Sequence, residues 1–178
     1  MAELGYRRAT TLAIAHSRHL PEIVAVNGFF TALTAHARHH PDIDLVRWLS
    51  QRQCHEIWGR LVRPYGFGRW RDHDTALEFF LEYRHEERFS DLIAALAGYD
   101  ALAQATPQLA TNVLVWLTST PPRDRAPSGD SVHATTFLPR PPPREGVNPA
   151  DATWLPLGSS GPRQRLSDLA YPHRLVSD

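Results

Sequence analysis

The sequence contains no lysine; all 19 of its Lys-or-Arg positions are arginine. A lysine Schiff base and a phosphate-loop lysine are thereby excluded, even if the Arg-, Ala- and Pro-rich usage reflects only GC-rich coding. Cysteine is almost absent too. Cys54 stands alone, so there is no internal disulfide, no Cys-x-x-Cys pair and no four-Cys zinc site, and a reducing compartment is expected. Net charge is lacking as well: 19 basic and 19 acidic residues balance to zero, so contact with nucleic acid or a membrane must come from a local patch. No stretch approaches the ~20 apolar residues of a membrane span, and "MAELGYRRATTLAIAHSRHLPE" breaks its short apolar run with His, Arg and Pro. The expectation is a cytoplasmic protein with no membrane association.

What is present suffices for one domain. At 178 residues and 42% hydrophobic content, the chain can bury roughly 70% of the surface it exposes when unfolded. Composition divides it into an N-terminal segment over 1–20, an α/β core over 21–119 and a Pro-rich extension over 120–178. The extension carries two short strand candidates, "VHATTF" and "ATWLPL".

Periodicity supplies the elements of the core. "PEIVAVNGFFTALTAHARHH" spaces Ile23, Val26, Phe30, Leu33 and Ala37 by three and four, with Pro21 in the first turn and Glu22 near the positive helix end. "IDLVRWL" reads as a strand buried on both sides, Ile43, Leu45 and Arg47 on one face, Val46 and Trp48 on the other. "SQRQCHEIW" reads as a short helix capped by Ser50. Pro64, Gly66 and Gly68 among aromatics, followed by "RDHD", predict a hairpin whose long second strand is "TALEFFLEY". In that strand Leu77, Phe79, Leu81 and Tyr83 share one face, and Glu78, Phe80 and Glu82 the other. "SDLIAALAGYDALAQA" predicts a helix capped by Ser90, with Leu92, Leu96, Tyr99 and Leu102 inward. "NVLVWLTS" is a continuous apolar run suited to the centre of a sheet. The order is that of a mixed sheet between helices.

The stretch with the most chemistry is "VRPYGFGRWRDHDTALEFFLEYRHEER". Metal-dependent phosphodiester cleavage needs oxygen ligands for Mg²⁺ and a group that activates water, and a bent hairpin can present both. The layout resembles nucleases of the restriction-endonuclease-like fold, whose α-β-β-β-α-β core carries Pro-Asp on one strand and Asp/Glu-x-Lys on the next. The matching residues here are Pro64-Tyr65 and Glu82-Tyr83-Arg84. Tyr65, with a pKa near 10, does not replace a carboxylate, and Arg84 stays protonated, so it can clamp phosphate but is a poor general base. An active enzyme would have to use Glu82 with Asp72 or Asp74 as substitute Mg²⁺ ligands; otherwise no metal and no cofactor is expected.

"AVNGFFTALTAHARHHPDIDLVRWLSQRQC", "VRPYGFGRW", "FFLEYRHEER" and "LAGYDALA" together resemble the replication-relaxation family, actinobacterial and plasmid-borne proteins linked by name to plasmid replication and DNA relaxation. The similarity runs from about Val24 to Thr118, with a weaker echo in "ATWLPLGSSGPRQRLSDLA". The family pattern, approximately Arg-Pro-Asp-Gly, Glu-Tyr-Asp and a helical Lys, is met here by Tyr65 at the first acid, Glu82 matched, Arg84 at the second acid and Ala94 or Ala95 at the Lys. The resemblance therefore implies a nuclease-like scaffold with a degenerate active site. Family members usually carry an N-terminal winged helix, and this chain is expected to begin after the place where one would end.

Three further features bear on partners. Arg60, Arg63, Arg69 and Arg71 interleave with Tyr65, Phe67 and Trp70, and with Arg84 they could hold the phosphates and bases of DNA. The same residues also fit a hairpin whose aromatics cover the core while its arginines stand in water. "HARHH" places His36 and His40 on one helical face, as two metal ligands without a third or as a solvated helix end. "RPPPRE" could extend as polyproline and dock on a protein partner, or serve as a linker, and apolar helix faces leave a homodimer open. No Gly-x-Ser-x-Gly elbow supports a hydrolase triad, and "GSSG" near Gly158 lacks a following helix.

Overall fold

The computed structural model describes residues 19–84, 89–117, 135–139, 147–156 and 162–170; the side chains of 84, 89–92, 117 and 135–139 lie outside that description, as do the "RPPPRE" segment and the loop at Gly158. Helix α1 (Leu20–Arg38) leads into β1 (Ile43–Ser50), α2 (Gln51–Trp58), the hairpin β2 (Gly66–Asp72) and β3 (Thr75–Arg84), α3 (Phe89–Ala105), β4 (Asn112–Leu117), β5 (Thr135–Pro139) and β6 (Trp154–Pro156). A 3-10 turn, Ser167–Leu169, follows.

Among the described residues the strands form one sheet in the order β1-β2-β3-β4-β5-β6. β1, β2 and β3 pair antiparallel, β4 lies parallel to β3 and to β5, and β6 returns antiparallel. The mixed α/β class expected from the sequence is therefore the observed one. The extension adds β5 and β6 to the same sheet.

Each face of the sheet carries its own core. Val26, Phe29, Phe30 and Leu33 of α1 pack with Trp70, Leu77, Phe79, Leu81, Leu114 and Trp154. On the opposite face Cys54 of α2 and Leu96, Tyr99 and Leu102 of α3 meet Leu49, Phe67, Phe80, Val113 and Val115. The alternation in "TALEFFLEY" is realised as written, odd positions toward α1 and even positions toward α3. Buried on both faces, β4 has the continuous apolar sequence that its position requires.

Several expectations are corrected. Ile23 is exposed, and Phe29 joins Val26, Phe30 and Leu33 among the inward residues of α1. β1 is an edge strand rather than a strand buried on both sides. Between Leu45 and Arg47 its register shifts by a bulge, so two residues oppose one step of β2. The extra residue reverses the alternation: Trp48 lies on the α1 face beside Leu45, and Arg47 is turned to the other face. Trp48 stacks on Phe30 at 4.7 Å between ring centroids, while 40% of its surface stays exposed. α3 begins at Phe89, which places Ser90 inside the helix rather than at its cap. At α2 the cap holds through Gln53, whose Oε1 accepts from the Ser50 backbone N–H at 2.9 Å and from Ser50 Oγ at 2.8 Å.

Gly66 and Gly68 of the predicted hairpin lie in β2 and face α1. A Cβ at Gly68 would come within 2.4 Å of Phe79 Cζ, and one at Gly66 within 2.7 Å of Phe30 Cε2. The glycines let the two rings, 6.1 Å apart and nearly parallel, lie directly on the strand. The turn itself is His73-Asp74, with His73 at φ 52°. Gly68→Ala is expected to cost roughly 1–3 kcal/mol by overpacking against a fully buried ring, read as a lower urea midpoint with unchanged slope.

Candidate functional site

Among the described residues Glu82 is the one acid that the sheet buries. It sits on β3 between β2 and β4, 1% exposed, and points with Phe80 toward α3. Tyr99 of α3, itself fully buried, donates its hydroxyl to Glu82 Oε1 at 2.6 Å. The sequence reading missed Tyr99 as a site residue. A tyrosine on an apolar helix face needs a partner for its hydroxyl, and an acid in the row of Phe80 needs a donor, so each signalled the other. A cavity of about 280 Å³ opens beside the pair, lined by Leu61, Val62, Arg63, Glu82, Ala94, Ala95, Gly98 and Tyr99. Both alanines at which the family's helical lysine would fall line this space.

The other acids proposed to act with Glu82 are elsewhere. Asp72 pairs with Thr75 at the hairpin turn, seven residues along β3 from Glu82, a separation of roughly 23 Å. Asp74 is in the turn itself. Strand register therefore does not bring Asp72 or Asp74 together with Glu82. Asp72 is engaged locally instead. Burial works against its charged form, but hydrogen bonds from His73 and Ser167 outweigh this and hold its carboxyl below the usual range. His73 is raised in turn, first by its bond to Asp72 at 2.7 Å.

Tyr65, at the first acid of the resemblance, faces away from Glu82. Its hydroxyl donates to Glu22 Oε2 of α1 at 3.3 Å, and its ring meets Tyr83 edge-on at 6.0 Å. Arg84 ends β3 opposite Leu117, and its side chain is outside the described residues. Around Glu82 the described groups are thus one carboxylate, a tyrosyl hydroxyl, an arginine and apolar side chains. That set does not fit a hard divalent cation, which requires several oxygen ligands. Among the described residues no group of three or more His, Cys, Asp or Glu converges as metal ligands.

The arginine and aromatic strip separates by strand parity. Trp70 is 1% exposed in the α1-side core and Phe67 lies in the α3-side core, so neither ring is open to stack on a base. Arg69 and Arg71 face the opposite side from Trp70, half exposed, in long ion pairs to Glu78 at 3.8 Å and Asp44 at 3.6 Å. Alternation within β2 carried this signal, since positions 69 and 71 share a face that position 70 cannot. Arg60 and Arg63 are exposed after α2, at the other end of β2.

The histidine cluster is partly built in. His39 and His40 donate Nδ1–H to the carbonyls of Ala35 and His36, each at 2.8 Å. Asn148 Oδ1 accepts from the Ala150 N–H at 3.0 Å, which directs its amide nitrogen to His36 Nδ1 at 2.8 Å. His36 therefore accepts there and carries its proton on Nε2. Burial first, then the His40 ring stacked at 4.2 Å, lowers the His36 pKa, while Asp151 and Asp72 oppose the shift and Arg165 adds to it. Burial pushes the Cys54 thiol up to about 12, leaving it a packing residue without nucleophilic character.

This architecture, a mixed sheet between helices that buries one acid among the described residues, is that of an α/β domain. The family model for replication-relaxation matches residues 1–115, and the chain belongs to the replication-relaxation family. Neither the curated proteins nor the solved structures gave a match. No helix among the described residues is long and apolar enough to cross a membrane.

Two outcomes are expected. Tyr99→Phe removes a hydrogen bond to a buried carboxylate and should cost about 1.5–3 kcal/mol in denaturant unfolding. His36 titrates near 6.5 when unfolded and lower when folded, so its stabilising share is present above 6.5 and is lost as pH falls through the folded value. His73, raised, acts in the opposite sense and is present in both proteins compared. Between about pH 7.5 and about pH 5.5 the urea midpoint of the wild type should therefore fall further than that of His36→Gln.

Proposed function

We propose that the chain serves the replication or relaxation of plasmid or other mobile DNA as a nuclease-like domain that holds DNA, or assembles on it with partners, without cutting the backbone. The observation that supports this is the dispersal of the acids. Glu82 is held by Tyr99 on the α3 face, Asp72 and Asp74 are at the far end of the hairpin, and Tyr65 turns to Glu22 on the α1 face. In-line displacement at phosphorus by a metal-bound water needs carboxylates that converge on one cation, and Glu82 alone does not supply them. Exposed arginines on the same chain, Arg60, Arg63, Arg69 and Arg71, supply phosphate contacts, with Arg84 as a further candidate at the end of β3. No metal or organic cofactor is needed for this role.

One gel experiment tests it: purified protein titrated onto supercoiled plasmid and onto a short single strand, with Mg²⁺, with Mn²⁺ and with chelator. Retardation that weakens with salt, without nicking in any lane, is the expected outcome. Nicking that disappears in chelator and in Glu82→Gln would replace this reading with a metal-dependent nuclease. If the protein neither shifts nor nicks DNA, a protein-interaction module becomes the better account.

A further inference from the structure

The bulge in β1 has a chemical effect on the sheet face away from α1. Without it, Arg47 would follow Ile43 and Leu45 onto the α1 face; with it, Arg47 lies in direct register with Arg69 of β2. Residues paired across antiparallel strands carry their side chains on the same face, about 5 Å apart at Cβ, and like charges so placed repel. Arg71 follows Arg69 two positions along β2, about 6.7 Å further, on the same face again. All three are exposed. Arg47 has no acid within ion-pair distance among the described residues. The acids paired with these arginines are Asp44, at 3.6 Å from Arg71, and the partly exposed Glu78, at 3.8 Å from Arg69, both long pairs open to solvent that stabilise little. Three guanidinium groups against two carboxylates leave a positive excess, concentrated at Arg47 and Arg69.

We infer that Arg47, Arg69 and Arg71 form a platform for consecutive phosphates of one DNA strand. This rests on the DNA-holding function proposed above and locates it. Phosphate between Arg47 and Arg69 would relieve their mutual repulsion, and the step to Arg71 is close to that between neighbouring phosphates of an extended strand. Guanidinium forks bind phosphate oxygens in pairs. The rings of Trp70 and Trp48 are on the other face, so the contact is to the backbone and is independent of sequence.

The test is binding of a short labelled single strand over a salt series, with the full chain and its variants. Arg47→Ala/Arg69→Ala should lower the slope of log affinity against log salt by about 1.4, the loss of two phosphate contacts on a single strand. Arg60→Ala/Arg63→Ala, at the other end of β2, should change it less. Glu78→Gln, which releases Arg69, should tighten binding about threefold, a gain that misfolding does not produce. Wild-type binding with an unchanged slope in Arg47→Ala/Arg69→Ala, or no gain in Glu78→Gln, would overturn the platform and leave DNA binding standing. Absence of wild-type binding at low salt would overturn both.

Discussion

Phe30 is the contact on which much of this architecture rests. Its ring lies between Trp48 at 4.7 Å and Phe79 at 6.1 Å, near parallel to both, and above Gly66 where a Cβ would collide with it. That packing fixes the distance of α1 from the sheet. It also places a demand on β1, because Trp48 can reach Phe30 only from the α1 face, and simple alternation from Leu45 would direct it elsewhere. The bulge at Val46 resolves the conflict. Its consequence is felt on the opposite face, where Arg47 arrives beside Arg69. Core packing on one side of the sheet thus sets the charge pattern on the other.

A second constraint acts at the centre. An acid between β2 and β4, shielded from water, is costly unless hydrogen-bonded, and Tyr99 meets that need from α3. The same bond ties α3 to the sheet beside a cavity walled by Ala94, Ala95 and Gly98. Small side chains on α3 are what let the helix approach; at Gly98 a Cβ would come within 2.7 Å of the Leu61 carbonyl. Glu82 is thereby part of the packing of the domain as well as the one acid that matches the family pattern.

Element type was largely legible in the sequence. Period-two alternation in Thr75–Tyr83, the apolar run of β4 and the helical spacing of Leu96, Tyr99 and Leu102 each depend on local pattern, and each appears as expected. The candidate site was legible only in part. Glu82 could be singled out, but whether Asp72 could join it is a question of strand register and length, which local pattern does not encode. The bulge was hidden for a related reason: "DLVRWL" satisfies two phases of alternation, and the choice between them is made by Phe30, far away in sequence. Trp70 shows the opposite case, a residue whose parity relative to Arg69 and Arg71 already placed it inside.

The two ends of the sheet have consequences for solubility. Long, flat edge strands template pairing between chains and lead to aggregation. Here β1 is interrupted by a bulge and bears Asp44 and Arg47, while β6 is three residues long and is met by an isolated bridge from Trp154 to Gln164. Among the described residues neither edge offers the uninterrupted backbone ladder that a second molecule could extend. A protein without net charge has little electrostatic repulsion to keep its copies apart, so here that protection falls to the shape of its sheet edges.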